Sequence, residues 1–226
     1  QKTMERTMSD NTLLEYRFAA ANTALPLVAI LRGIKPEEAE AIGLGLYSTG
    51  FRLIEVPLNS PDPFTSIAAI RRALPEDALV GAGTVLAVEQ VTQLKACGGE
   101  LAVMPHADTA LIRAAKAAGL LCVPGVATPT EAFAALAAGA DTLKLFPAEL
   151  ITPQILKAIR VVLPKTTRLL PVGGITPDTM KPYLDAGAGG FGLGSALYTP
   201  GMTCEQVVVR AGAFVAAWQR LVHAQR

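Results

Sequence analysis

Short apolar runs alternate with Ala-rich, helix-patterned stretches through most of this chain. Eight runs read as strands: Leu27–Leu31, Leu53–Val56, Leu79–Ala82, Leu101–Met104, Leu121–Val123, Thr142–Phe146, Leu169–Val172 and Gly190–Leu193. They recur about every 20 to 27 residues, a spacing that leaves room for one helix and two turns between strands. Helix starts are signalled by Pro36-Glu37-Glu38, Asp108-Thr109, Thr128-Pro129-Thr130-Glu131 and Thr176-Pro177-Asp178, where a capping residue meets proline or an acid. Helix ends are signalled by Gly50, Gly98-Gly99, Gly119, Gly139 and Gly187.

Strands that are apolar throughout, alternating with helices, predict a parallel sheet covered by helices. Eight such units without a break in composition predict an α/β protein built as a (β/α)8 TIM barrel. A short N-terminal helix over 12–24 is expected to close its bottom. The domain reading is therefore 1–24 as an extension with a helix, and 25–226 as a single barrel domain. A doubly wound open sheet is the alternative, but Leu31-Arg32-Gly33-Ile34 after the first strand lacks the dinucleotide-binding glycine pattern. Prolines at 57, 105, 124 and 147 mark strand ends, because proline donates nothing to a ladder. Residues beside them belong to the C-terminal rim, where barrel enzymes keep their sites.

Alternation within strands then assigns faces. In the sixth run, Leu143 and Leu145 face helices, so Lys144 points inward with Thr142 and Phe146. In the second, Ile54 and Val56 face helices and Glu55 points inward. These two strands lie opposite each other, so a lysine and a glutamate meet across the barrel mouth. A buried ammonium is costly, and desolvation favours the neutral amine, a nucleophile toward carbonyls. The competing reading is a lysine that snorkels outward or forms a purely structural pair. Arg32, at the first strand's end, suits capture of a carboxylate or is a surface residue of its loop. Thr84 follows the Gly81-Ala82-Gly83 strand end, and Leu86 stands where a dinucleotide motif needs a third glycine. Gly173-Gly174 and Gly194-Ser195 follow the last two strands, the positions where barrels often cradle phosphate.

Composition narrows the field. The chain has 226 residues, of which 51% are hydrophobic and 17% charged, and its formal charge is +1. That balance offers no basic face for nucleic acid. Cys97, Cys122 and Cys204 read as three reduced, packed thiols. No apolar run reaches the length of a membrane helix, and Gln1 to Asn11 lacks a signal-peptide core, so the compartment reads as cytoplasm and the polar start as a processed end. With only His106 and His223, and no paired cysteines, HExxH, Walker loop or GxSxG elbow, zinc and nucleotide chemistries are disfavoured. His106, after the fourth strand, reads as a solvated loop residue, and His223 as surface.

Six segments, in order, carry a resemblance. They are Ala29-Ile30-Leu31-Arg32-Gly33, Ile54-Glu55-Val56-Pro57-Leu58-Asn59-Ser60, Gly81-Ala82-Gly83-Thr84-Val85-Leu86, Leu143-Lys144-Leu145-Phe146-Pro147, Val172-Gly173-Gly174 and Gly192-Leu193-Gly194-Ser195. Over about residues 25–220 the chain resembles the pyruvate-forming class I aldolases of the KDPG/KDPGal type. Leu58-Asn59-Ser60 and Val172 stand where gluconate-type members commonly carry Leu-Arg-Thr and Thr, a pattern similar to the galactonate branch. The resemblance implies Lys144 as Schiff-base nucleophile and Glu55 as proton shuttle. It implies Arg32 and Thr84 on the substrate carboxylate, Phe146 walling the pyruvate end, and Gly173, Gly174, Gly194 and Ser195 on the phosphate. Asn59 and Val172 are the positions expected to bear on the C4 epimer. It implies no metal or cofactor, a sugar-acid phosphate as substrate, pyruvate and glyceraldehyde 3-phosphate as products, and a homotrimer. A gluconate-epimer aldolase, and a sugar-phosphate-binding barrel or isomerase without lyase activity, are the competing functions.

Overall fold

The computed structural model describes residues 10–223. The polar stretch before residue 10, part of the expected extension, lies outside them. Helix α1 (Asp10–Ala24) leads into β1 (Leu27–Ile30), and the alternation follows: α2 (Pro36–Ser48), β2 (Leu53–Pro57), α3 (Pro63–Ala73), β3 (Leu79–Gly83), α4 (Val88–Ala96), β4 (Leu101–Val103), α5 (Thr109–Ala117) and β5 (Leu121–Val123). The second half comprises β6 (Gly125–Val126), α6 (Pro129–Ala137), β7 (Leu143–Leu145), α7 (Pro153–Val162), β8 (Leu169–Pro171), α8 (Met180–Asp185), β9 (Phe191–Leu193) and α9 (Cys204–His223). All strand pairings are parallel. The strands form a curled six-stranded sheet in the order β5-β4-β3-β2-β1-β9 and a three-stranded sheet in the order β6-β7-β8. The parallel α/β class read from the sequence is what the structure has.

Two details differ from the sequence reading. The fifth strand does not end at Pro124. It resumes as β6, which pairs with β7, whereas β5 pairs with β4. Proline has no N–H to give either ladder, yet its carbonyl still accepts from Lys144 N–H at 2.9 Å. The strand thus changes partner at the one residue that cannot donate. The second difference is Thr176-Pro177-Asp178, which does not start a helix. Thr179 Oγ1 accepts from Thr176 N–H at 2.8 Å, the segment closes as a turn, and α8 begins at Met180. By contrast, Thr128 and Glu131 form the full capping box of α6, and Asp108 caps α5 through Ala110 and Leu111 N–H. Gly50, Gly98, Gly119, Gly139 and Gly187 all take positive φ where their helices end.

Side-chain alternation produces two separate cores. Ile54, Val56, Val80, Ala82, Ala102, Leu143 and Leu145 pack outward into the helices. Val28, Leu53, Leu79, Leu101, Val103, Leu121, Val123 and Leu170 pack with one another on the inner face of the strands. Leu14, Phe18 and Ala21 of α1 join this inner group, so α1 plugs the N-terminal end as expected. Arg17 of α1 pins it there, ion-paired with Glu100, which also pairs with Arg71 of α3. No helix of the described residues is long and apolar enough to cross a membrane. The three cysteines are free, Cys122 buried and Cys97 and Cys204 half-buried.

Candidate active site

The inner apolar core stops at two charged residues. Glu55 and Lys144 are 1% and 6% exposed, on strands whose flanking residues Ile54, Val56, Leu143 and Leu145 are wholly buried on the helix side. The alternation that buries those four dictates that residues 55 and 144 turn inward. Both line a small chamber of about 10 Å³, walled by Phe18, Val28, Leu101, Val103, Val123 and Leu170. That is room for about one water.

Burial sets the chemistry here. It pushes the Glu55 carboxyl up from its ordinary 4.5 to about 7, against the opposing pull of Lys144 and Arg32. The same burial pulls the Lys144 ammonium down, aided by Arg32 and opposed by Glu55. No ion pair within 4.0 Å joins the two, and Glu55 Oε2 is buried without a hydrogen-bond partner. A buried acceptor without a partner costs about 1–3 kcal/mol, so this carboxylate is held ready rather than satisfied. Lys144 Nζ stands 4.6 Å from the centre of the Phe146 ring, which is itself exposed at the rim.

Gly83 explains how Glu55 fits. A Cβ at this position would lie 1.9 Å from Glu55 Oε2, so only glycine leaves room for the carboxylate. The next residue, Thr84, has φ +56°, the left-handed region that a β-branched residue rarely enters. Such strain costs about 1–3 kcal/mol and collects at functional sites.

Above the pair opens a cleft of about 710 Å³. Of the sequence-assigned residues it is lined by Arg32, Lys144, Phe146, Val172, Gly173, Gly174, Gly194 and Ser195. Glu55 lies beneath it in the chamber, with Lys144 and Val172 belonging to both spaces. Asn59 does not line the cleft. Its Oδ1 accepts from Arg32 Nη1 at 2.6 Å, and Ser60 Oγ accepts from Gly33 N–H at 2.9 Å, so the loops after β1 and β2 are tied together. Thr84 and His106 line neither space.

Sequence reasoning missed two cleft residues. Glu149 lies against the glycine pair after β8. A Cβ on Gly173 would be 2.2 Å from its Oε2, and one on Gly174 3.3 Å from its Cγ. Arg210, on α9, donates from Nη1 to the Ser195 carbonyl at 3.1 Å. Glu149 was detectable as an acid just beyond the Lys144 strand. Arg210 had no local signal, because only the return of α9 over the cleft brings it there.

A cavity of about 490 Å³ lies elsewhere, between α1 and α9, lined by Tyr16, Arg17, Arg52, Asp77 and Trp218. Its charged groups are all paired: Arg52 bonds Asp77 at 2.6 Å and stacks on Tyr47, and Arg17 is held by Glu100. Among the described residues, no group of three or more His, Cys, Asp or Glu is placed to hold a metal ion.

Comparison with known proteins gives consistent findings. The family model "Aldolase: KDPG and KHG aldolase" matches residues 19–212. A Rhizobium meliloti (strain 1021) protein named "Probable 2-dehydro-3-deoxy-6-phosphogalactonate aldolase" is 49% identical over 201 residues, 89% of this chain and 95% of its own length. The Escherichia coli (strain K12) "2-dehydro-3-deoxy-6-phosphogalactonate aldolase" is 47% identical, covering 88% of this chain and 98% of its own. A solved structure titled "Native KDPGal structure" superposes with a TM-score of 0.86 at 47% identity, covering 88% of this chain and 97% of that one.

Proposed function

The chain belongs to the KDPG and KHG aldolase family, and on that footing we propose that it cleaves 2-dehydro-3-deoxy-6-phospho-D-galactonate to pyruvate and D-glyceraldehyde 3-phosphate through a Schiff base on Lys144. One observation carries the reading. An amine pulled down and a carboxyl pushed to about 7 share a small, apolar-walled chamber directly beneath an open, glycine-edged cleft. Titratable groups perturbed by burial and by a charged partner at the floor of a cleft mark a functional site.

Arg32, held by Asn59, takes the substrate carboxylate; Thr84, which lies outside the cleft lining, is given a carboxylate role by the family resemblance alone. Neutral Lys144 attacks the C2 carbonyl, and Glu55 moves protons while the carbinolamine loses water to give the protonated imine. Glu55 then takes the C4 hydroxyl proton. The C3–C4 bond breaks, its electrons enter the imine to form an enamine, and glyceraldehyde 3-phosphate leaves. Protonation of the enamine at C3 and addition of water release pyruvate and restore Lys144. The Phe146 ring walls the pyruvate end, and the glycine loops with Ser195 hold the phosphate. No metal or organic cofactor enters this scheme.

The galactonate epimer is favoured because Asn59 and Val172 stand where gluconate-type members carry arginine and threonine. The wider reading is a closed (β/α)8 barrel over 25–226. Its fifth strand is β5 and β6 interrupted by Pro124, and a Val172–Gly192 bridge joins β8 to β9. A cytoplasmic homotrimer is the assembly we assign, for which exposed Leu150, Ile155 and Val161 supply apolar surface.

Two experiments test the reading. Borohydride with pyruvate is expected to leave a reduced adduct on Lys144, abolished in Lys144→Ala. An adduct on another lysine, or none, sinks the Schiff-base role. Side-by-side cleavage of the two C4 epimers decides the substrate, and preference for the gluconate form would overturn the Asn59/Val172 argument.

A further inference from the structure

We propose that Arg210 of α9 is the cation of the phosphate end of the cleft, and that it makes the enzyme select a phosphorylated substrate. This rests on the aldolase reading above and adds a residue that the reading does not contain.

Four charged side chains line the cleft: Arg32, Lys144, Glu149 and Arg210. Two are committed to the reacting end. Arg32 bonds Asn59, and both it and Lys144 act electrostatically on Glu55. The other two lie at the glycine loops. Glu149 presses on Gly173 and Gly174, and Arg210 bonds the Ser195 carbonyl. A phosphate monoester seated on those loops would carry nearly two negative charges beside the Glu149 carboxylate. Backbone N–H groups and a serine hydroxyl supply donors but no formal charge. Neither loop runs straight into a helix whose amino end would help: α8 starts at Met180 and spans six residues, and α9 starts at Cys204. The balance at this end therefore falls to Arg210.

Its placement suits the task. Val207 and Ala211 are buried on the packed face of α9, which fixes the helix, and Arg210 leaves the exposed side toward the loop. The bond to Ser195 uses one of the five donors of the guanidinium. A planar fork anchored through one arm can offer another pair to phosphate oxygens. The same anchor ties the loop after β9 to α9, so phosphate and loop would be ordered together.

The test uses the full chain with Arg210→Gln and Arg210→Lys. Inorganic phosphate binding is measured by calorimetry, and kcat and KM are measured on the phosphorylated substrate and on its dephosphorylated counterpart. A charge-assisted pair contributes about 1.5–3 kcal/mol, so Arg210→Gln is expected to weaken phosphate binding roughly 30-fold. Preference for the phosphorylated over the dephosphorylated substrate should fall by a similar factor, through KM, and Arg210→Lys should recover part of both. Unchanged phosphate binding, or equal losses on both substrates, would overturn the proposal. If the wild type neither cleaves nor traps pyruvate, the aldolase reading fails instead, and phosphate binding by the two variants still decides the role of Arg210.

Discussion

Two carboxylates press on glycines, one in the buried chamber and one at the rim of the cleft above it, and the two contacts do different work. Glu55 lies on Gly83 inside the strands, fully buried, with no room to move aside. Glu149 lies on Gly173 at the open rim, on an exposed side chain that can swing into solvent. Gly83 has ordinary φ and is glycine for space alone, whereas Gly173 has φ +120° and is glycine for its backbone as well. In the buried end, the missing Cβ leaves the space that the Glu55 carboxylate occupies. In the open end, it shapes a loop. On the proposed reading, chemistry belongs to the chamber and phosphate binding to the cleft rim, and substitutions at the two ends should fail differently.

The largest effect is expected from Glu55→Gln, which keeps the shape of the buried end and removes its proton chemistry. Loss of a positioned acid–base group costs about 10²–10⁴ in rate, and we expect the loss in kcat. In the wild type, kcat/KM should rise with pH through about 7 as Glu55 ionises, and the variant should lose that step. Stability moves the other way. The carboxyl is near 7 in the fold and near 4.5 unfolded, so the folded state holds a proton that the unfolded chain releases between these values. The protonated form is the one the fold favours, and stability falls as pH rises across that window. Glu55→Gln should therefore unfold at a higher temperature than wild type at pH 8, by roughly 5 °C, with the gap closing toward pH 4.5. A variant less stable at pH 8 would mean that Glu55 is a structural ion-pair partner, and the contrast between the ends would collapse.

Gly83→Ala comes next. Its methyl would fall within the Glu55 carboxylate, which has no free direction in a chamber of about 10 Å³. Overpacking of this kind costs about 1–3 kcal/mol, and the displaced carboxylate should lower kcat by roughly 10²-fold. Steady-state rates together with thermal melts separate the two effects. A melt shift with kcat intact would show that Glu55 reacts from another position.

What the sequence made legible follows the same division. Lys144 and Glu55 were readable because alternation in a buried strand is rigid: once Leu143, Leu145, Ile54 and Val56 face helices, their neighbours have one direction left. The Gly173-Gly174 pair was readable because φ > 0 and close approach leave few residue choices, whereas Gly194 meets neither demand. Split strands and late helix starts were not, because Pro124 can end a strand or merely change its partner, and Thr176 can cap a helix or close a turn. Those outcomes depend on neighbours in space. Arg210 was the least legible of all. It is one arginine on an amphipathic terminal helix, about 15 residues past the loop it bonds, and only the packing of Val207, Ala211 and Phe214 brings it there.

Gly173→Ala is the sharpest test of the comparison, though its effect is the smallest. The clash with Glu149 Oε2 is easily relieved, because that carboxylate ends a flexible exposed side chain. What remains is the strain of alanine at φ +120°, about 1–3 kcal/mol. The loop is expected to relax to another φ, carrying its N–H groups away from the phosphate. KM for the phosphorylated substrate should rise roughly 10-fold, the size of one lost hydrogen bond of about 1.4 kcal/mol. The effect on kcat should be far smaller than that of Gly83→Ala, because Glu55 lies in the chamber beneath the cleft and not against the Gly173 loop. Steady-state kinetics of the two alanine variants, run in parallel, measure this split. If Gly173→Ala lowers kcat as much as Gly83→Ala does, the loop after β8 controls the reacting pair, and the two ends of the cleft form one mechanical unit.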